Sequence, residues 1–365
     1  MSVKIFPETK VFIACPANSA TGGPELLHQL GYHFINDLNV NAFMYYYNYD
    51  KSKFKTPVHP EYKMYKVPYV LDIEEKDDCE RNILIVPESI ETFLLFLKHR
   101  KIRKGVWFLS VDNYYFHYYF YDNRIKKRSF FSNLYIEYKL EKLFKIYNYK
   151  NDNLLKLADF YMCQSYRGLI FFNDLKPMYY LSDYINPKFL EIKTDLSKKE
   201  NIVAYSPSKG LHFTKKIIKS VKDIKFAPLI NMSREEVIET LQRAKVYIDF
   251  GNHPGKDRIP REAAILGCCV ITGKRGSAAF FEDVPILDEY KFEDKEENIP
   301  KIVEKIKDCF INFEERYKDF EYYRHVIKNE PRKFIEDLRK IFCWGIKMLE
   351  FTGERYIPDL KEAQI

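Results

Sequence analysis

The apolar positions of this chain come in short unbroken runs rather than in alternation with polar ones. KVFIACP (10–16), NAFMYYY (41–47), NILIVPE (82–88), GVWFLSVDN (105–113), FYMCQS (160–165) and MYYLSDY (178–184) are of this kind. Stretches with helical spacing lie between them, among them ELLHQLGYHFIND and SIETFLLFLKHR. A strand covered on both faces carries apolar residues at every position, and parallel strands need a crossover helix between them. The runs therefore predict a parallel sheet with helices on both sides.

A second series begins near residue 200, with NIVAYSP, IKFAPLI, KVYIDFG, CCVITG and the weaker VPILDEY as strands. KGLHFTKKIIKSVKD, SREEVIETLQRA and EAAILG read as its helices, the second opened by a capping box of Ser233 and Glu236. From 295 to about 350 the pattern is helical and charged. The fold class is α/β, with two Rossmann-like domains, a cleft between them and closing C-terminal helices. The segment DYINPKFLEIKTDLSKKE (183–200) reads as the linker, giving domains at 1–190 and 191–345 and a tail at 346–365.

Residues 114–150 interrupt this order with eight Lys/Arg against three Asp/Glu, and with fourteen Tyr/Phe. The segment reads either as an inserted helical subdomain with a solvated basic face or as a patch for anionic lipid headgroups. Stacking on single-stranded nucleic acid would use the same residue types, but nothing else in the sequence supports it, and no nucleic-acid partner is expected.

Composition adds little that is specific. Of 365 residues, 30% are charged and 46% hydrophobic, which fits a globular protein and excludes a disordered or fibrous one. The net charge of +7 suits an anionic ligand or surface. Seven cysteines without a CxxC pair point to free thiols in a reducing compartment. The opening MSVKIFPETKVFIAC lacks signal-peptide design, and no apolar run approaches the roughly 20 residues of a membrane span. The expected location is cytoplasmic, with peripheral association at the inner face of the plasma membrane.

Each candidate functional loop follows a strand, because α/β proteins bind ligands at the carboxyl ends of their strands. In TGGPELLHQLG (21–31), Gly22 and Gly23 open a helix and let backbone N–H groups approach an anion; a tight strand-to-helix turn is the plainer explanation. The stretch is not GxGxxG, which removes the best support for a nicotinamide dinucleotide. SVDN (110–113) carries Asp112, a group to orient or deprotonate a sugar hydroxyl or simply to cap the next segment. In YSPSKG (205–210), Ser206, Ser208 and Lys209 precede a helix and suit a phosphate. The loop NHPGKDRIPRE places Lys256, Arg258 and Arg261 around Glu262, with cations for a diphosphate and a carboxylate for ribose hydroxyls. Glu262 also suits a helix first turn for dipole reasons alone. Gly276 and Ser277 of RGSAAFFED (275–283) offer a further N–H cluster.

With these stretches, KG (209–210) and IPREAAILGCCVI above all, the chain resembles the GT-B glycosyltransferases. The likeness is strongest to the retaining, family 4-like enzymes of bacterial polysaccharide and lipopolysaccharide synthesis. The second stretch is similar to that family's LPxxEAxACGxPVI. The resemblance implies Lys209 and Arg258 at the donor diphosphate, Glu262 at the nucleotide ribose, and the Gly22–Gly23 loop near donor and acceptor. The family's E-x7-E places its first Glu where this chain has Pro254, leaving Asp257 or no residue in that role.

The function implied is hexosyltransferase-like transfer of a sugar from a nucleotide-diphosphate donor to a glycan or lipid-linked glycan, with retention, in capsule or lipopolysaccharide synthesis. The catalytic set is Asp112, Lys209 and Arg258. Ser206, Ser208, Lys256, Glu262, Gly22, Gly23, Gly276 and Ser277 join Lys209 and Arg258 in holding the donor. No cofactor and no essential metal are expected. A nucleotide-sugar epimerase, for which His253 would be a candidate, and a non-catalytic glycan- or partner-binding subunit are the alternatives.

Overall fold

The computed structural model describes residues 2–122 and 142–344. Of the basic aromatic stretch expected at 114–150, residues 123–141 lie outside the described residues, as does the expected tail at 346–365. The chain packs as two compact units, Met1–Ser182 with Lys333–Ile365, and Asp183–Arg332. The division thus falls at Asp183, not after residue 190, and residues from Lys333 on belong with the first unit. Two packing interactions account for this assignment: Phe334 sits against the rings of His33 and Trp107, and a strand at Phe342–Trp344 pairs in parallel with Val3–Ile5.

In the first unit the strands are β1 (Val3–Ile5), β2 (Lys10–Pro16), β3 (Asn41–Tyr47), β4 (Tyr69–Val70), β5 (Ile83–Pro87), β6 (Arg103–Phe108), β7 (Phe160–Cys163) and β8 (Met178–Tyr180). Seven of them form one parallel sheet in the order β4-β3-β2-β5-β6-β7-β8. The ILIVP of β5 is buried along its whole length, as unbroken apolar patterning requires. Because β2 lies between β3 and β5, the connections reverse direction there, and the carboxyl end of β2 borders the switch point. The helix Gly22–Asn36 starts at that end.

The second unit has β9 (Glu200–Tyr205), β10 (Lys225–Pro228), β11 (Ala244–Asp249), β12 (Cys269–Gly273) and β13 (Lys291–Phe292), all parallel, in the order β10-β9-β11-β12-β13. Here the reversal lies between β9 and β11. The capping box forms as the sequence predicts: Ser233 Oγ accepts from the Glu236 amide, and Glu236 Oε2 accepts from the Ser233 amide at 2.6 Å. Crevices at such reversals, outside the carboxyl ends of the strands, are where doubly wound sheets bind ligands.

Trp107 of β6 is fully buried and its Nε1–H donates to the Leu181 carbonyl at 3.0 Å. Trp107→Ala removes the largest buried side chain and orphans that carbonyl, and should cost about 3–5 kcal/mol. A urea midpoint for the first unit unchanged from wild type would contradict this packing.

Candidate functional site

Two glycines bring the loops on either side of the second reversal into backbone contact. Gly210, at φ 58°, would place a Cβ 1.9 Å from the Phe250 carbonyl oxygen, and Gly251, at φ 100°, would place one 2.5 Å from the Gly210 nitrogen. Any side chain at either position would push the loops apart. Their contact carries Lys209 from the loop after β9 to the end of β11. There its Nζ donates to Asp257 Oδ2 and lies 3.4 Å from Asp249 Oδ2. Asp249, the last residue of β11, also accepts from the buried Tyr247 hydroxyl at 3.0 Å. His253 Nδ1 is 2.8 Å from the same Asp257 carboxylate oxygen.

The electrostatics of this group follow from burial and close opposite charge. Burial disfavours the Lys209 ammonium, but Asp249 and Asp257 outweigh it and raise the pKa above the ordinary lysine value. Burial likewise acts to raise Asp257, yet Lys209 and His253 hold its carboxyl well below the usual range. Burial, then Asp249, Asp257 and Glu262 in turn, push the Tyr247 hydroxyl far up, so Glu262 acts on the same end of the sheet.

The loop that carries Asp257 and Arg258 is built around one buried guanidinium. Arg261 is fully buried, and its Nη2 donates to both oxygens of Asp183 at 2.9 and 2.8 Å and to the Lys256 carbonyl at 3.1 Å. Its Nη1 donates to Glu330 at 2.9 Å and its Nε to the Asp257 carbonyl at 3.1 Å. Arginine suits this place because its planar fork engages carboxylate and carbonyls together. Arg258 directly precedes the helix Ile259–Ile265, with its Nε 3.9 Å from Asp183 Oδ2. Glu262 is half-buried in the first turn of that helix, its amide bonded to the Arg258 carbonyl at 2.9 Å.

Lys209, Arg258 and Glu262 therefore lie on two touching loops and the helix that follows, and Ser206 and Ser208, on the Lys209 loop, bond each other through their hydroxyls at 2.7 Å. Lys256 does not take the phosphate-facing place expected of it. It is buried, with Nζ 2.7 Å from Glu330 Oε1, so its charge belongs to the Arg261 network. Ser277 is fully buried and its amide is spent on the His253 carbonyl at 2.8 Å. Gly276, at φ 65°, is needed because a Cβ would sit 2.1 Å from that same carbonyl, so the expected N–H cluster instead closes the loop.

In the first unit Asp112 is fully buried, and both its oxygens accept from Arg167, at 3.0 and 2.7 Å. Its charge is engaged by Arg167, and the hydroxyl that caps the segment is Ser110 Oγ, which accepts from the Asn113 amide at 3.1 Å. Gly22 and Gly23 remain accessible at the helix start beside the first reversal, where a Cβ on Gly23 would make only an ordinary 3.5 Å contact with Leu109. Sequence reasoning passed over Asp183, Asp249 and Glu330. The one available signal was the acidic residue closing the apolar run KVYIDFG.

Among the described residues, Asp249, His253 and Asp257 have donor atoms all within 4.8 Å of one another, with the chemistry to hold a divalent cation. The Lys209 ammonium already hydrogen-bonds Asp257, and a metal ion would have to displace it.

Arg261→Met leaves Asp183 and Glu330 buried without their shared partner, at a cost of about 3–5 kcal/mol. Opposed by burial, the Arg261 charge still holds the Asp183 carboxyl below its ordinary value of 3.8. A depressed carboxyl contributes stability above its unfolded value and loses it as pH falls through the folded one. Urea midpoints of the second unit should therefore drop below about pH 4 in the wild type and change less in Arg261→Met; equal acid sensitivity would refute the network.

No family model matches the chain, and no curated protein matches it. Solved structures do. HepE of Anabaena in complex with UDP is 9% identical, with 91% of this chain and 98% of that chain covered at a TM-score of 0.59. The lipopolysaccharide outer core galactosyltransferase WaaB, in its apo form, is 9% identical over 90% of this chain and 99% of its own, at 0.54. Sucrose-phosphate synthase from Thermosynechococcus elongatus is 10% identical over 90% and 94%, at 0.53. With its two units each a parallel, doubly wound sheet, this chain has the GT-B fold of glycosyltransferases.

Proposed function

We propose that this protein transfers a sugar from a nucleotide-diphosphate donor to a glycan or lipid-linked glycan acceptor. The observation that supports the reading is that Lys209 bonds Asp257, on the loop after β11 that leads through Arg258 into the helix carrying Glu262, at the switch point of the second sheet. Departure of a nucleoside diphosphate builds negative charge on its phosphate oxygens. Cations held in place beforehand stabilise that charge without reorganising, which is commonly the largest catalytic term. Arg258 at the helix start, with Lys209 shared between Asp249 and Asp257, would meet the diphosphate, and Glu262 would accept from ribose hydroxyls. UDP is the first nucleotide to test, because HepE, which shares the fold, has been solved with UDP and with UDP-glucose. A role in bacterial surface polysaccharide synthesis and retention of configuration rest on the sequence resemblance.

The second reading is a non-catalytic binding subunit. It is favoured by the two carboxylates that already hold the Lys209 charge and by the Pro254 that stands where the family has its first Glu.

Calorimetry should detect UDP binding, and UDP-sugar with an acceptor should yield UDP. Arg258→Ala should lower kcat/KM by about a hundredfold. Glu262→Ala should act mainly on KM through the lost ribose contact. Binding without turnover supports the second reading; no binding of any nucleoside diphosphate overturns both. An inverted anomeric product by NMR would refute retention.

A further inference from the structure

A second feature lies at the other end of the same sheet. A cavity of about 1250 Å³ is lined by residues that include Lys199, which precedes β9, and Lys245, the second residue of β11. It therefore opens at the amino ends of the strands, whereas the loops of Lys209 and Arg258 are at the carboxyl ends. Its wall carries Arg324, and Lys318, His325 and Lys328 are exposed around it.

Arg324 is the unusual member. It is 8% exposed, and its guanidinium stacks over the Tyr317 ring at 3.6 Å while Nη2 donates to the Tyr317 carbonyl at 2.9 Å. Its Nη1 is buried with no hydrogen-bond partner, and no carboxylate pairs with Arg324 among the described residues. A buried guanidinium ordinarily has an anionic partner. The neighbouring lysines are likewise held by neutral oxygens rather than by carboxylates. Lys199 Nζ is held by the carbonyls of Leu241, Ala244 and Leu266 at 2.7–2.8 Å, and Lys245 Nζ by Asn201 and the Phe310 carbonyl. Three carboxylates also line the cavity, but Glu315 is paired with Arg316 at 2.9 Å. Glu314 and Glu321 are exposed at the cavity, and Glu321 acts on the Arg324 charge without forming an ion pair with it.

We propose that this cavity binds a phosphate-bearing anion, at a site separate from the switch-point loops and independent of the function assigned to them. The stacked guanidinium sets a fixed plane for phosphate oxygens, and the lysines and His325 add charge around it. A soluble phosphorylated metabolite and a phospholipid headgroup share this chemistry.

The test titrates the full-length protein with inorganic pyrophosphate and, separately, floats it with vesicles of phosphatidylglycerol and phosphatidylcholine. Arg324→Gln and the surface double variant Lys318→Glu/Lys328→Glu are compared with Arg258→Ala, circular dichroism checking that each is folded. The expected result is an anion-binding component weakened by about tenfold or more in both cavity variants and kept in Arg258→Ala. Loss in the pyrophosphate arm identifies a soluble phosphate, and loss confined to flotation identifies a lipid headgroup; either supports the site. If the double variant is folded and binds both probes as wild type does, or if wild type binds pyrophosphate only through Arg258 and does not float, the proposal is overturned.

Discussion

The second unit is organised by a single charge that never meets water. Arg261 joins Asp183, the first residue of that unit, to Glu330 near its end, and gathers the carbonyls of Lys256 and Asp257 between them. A guanidinium in such a place is tolerable only with its partners in full, so the loop before the helix Ile259–Ile265 has little freedom. What the fixed loop presents is Asp257, Arg258 and, one turn on, Glu262. The candidate chemistry thus depends on a residue that takes no part in it.

Close backbone contact does for the neighbouring loop what the guanidinium does for this one. Gly210 and Gly251 allow the loops after β9 and β11 to touch, and the touch delivers Lys209 to two carboxylates. Lys209 is thereby a shared charge. It binds the loops to each other, and a diphosphate arriving at the reversal would compete with Asp249 and Asp257 for the same ammonium. Arg258 is the second cation, at the start of the following helix, where its carbonyl accepts from the Glu262 amide.

Much of this was legible in the sequence. Unbroken apolar runs such as ILIVP gave the buried parallel strands, and the capping box at Ser233 marked a helix start correctly. The loops bearing Lys209, Arg258 and Glu262 were found because candidate ligand loops must follow strands. The partners of charges were not legible, because pairing depends on residues far apart in the chain. Lys256 reads like its neighbour Arg258, yet only the fold brings Glu330 to it. Asp112 reads as a group for a sugar hydroxyl or a cap, and only the fold brings Arg167 onto both its oxygens. Gly276 and Ser277 resemble an anion-binding turn, but their tight approach to His253 consumes the amide. The placing of the residues after Lys333 with the first unit was hidden for the same reason, since β14 (Phe342–Trp344) finds its partner β1 far away in the sequence.

The central claim is that the reversal between β9 and β11 holds a nucleoside diphosphate. A crystal structure of the protein with UDP tests it most directly. The diphosphate is expected within hydrogen-bond reach of Arg258 and Lys209, with the ribose hydroxyls on Glu262. Nucleotide density elsewhere, with Lys209 still closed on Asp257 and no ligand beside Arg258, would contradict it.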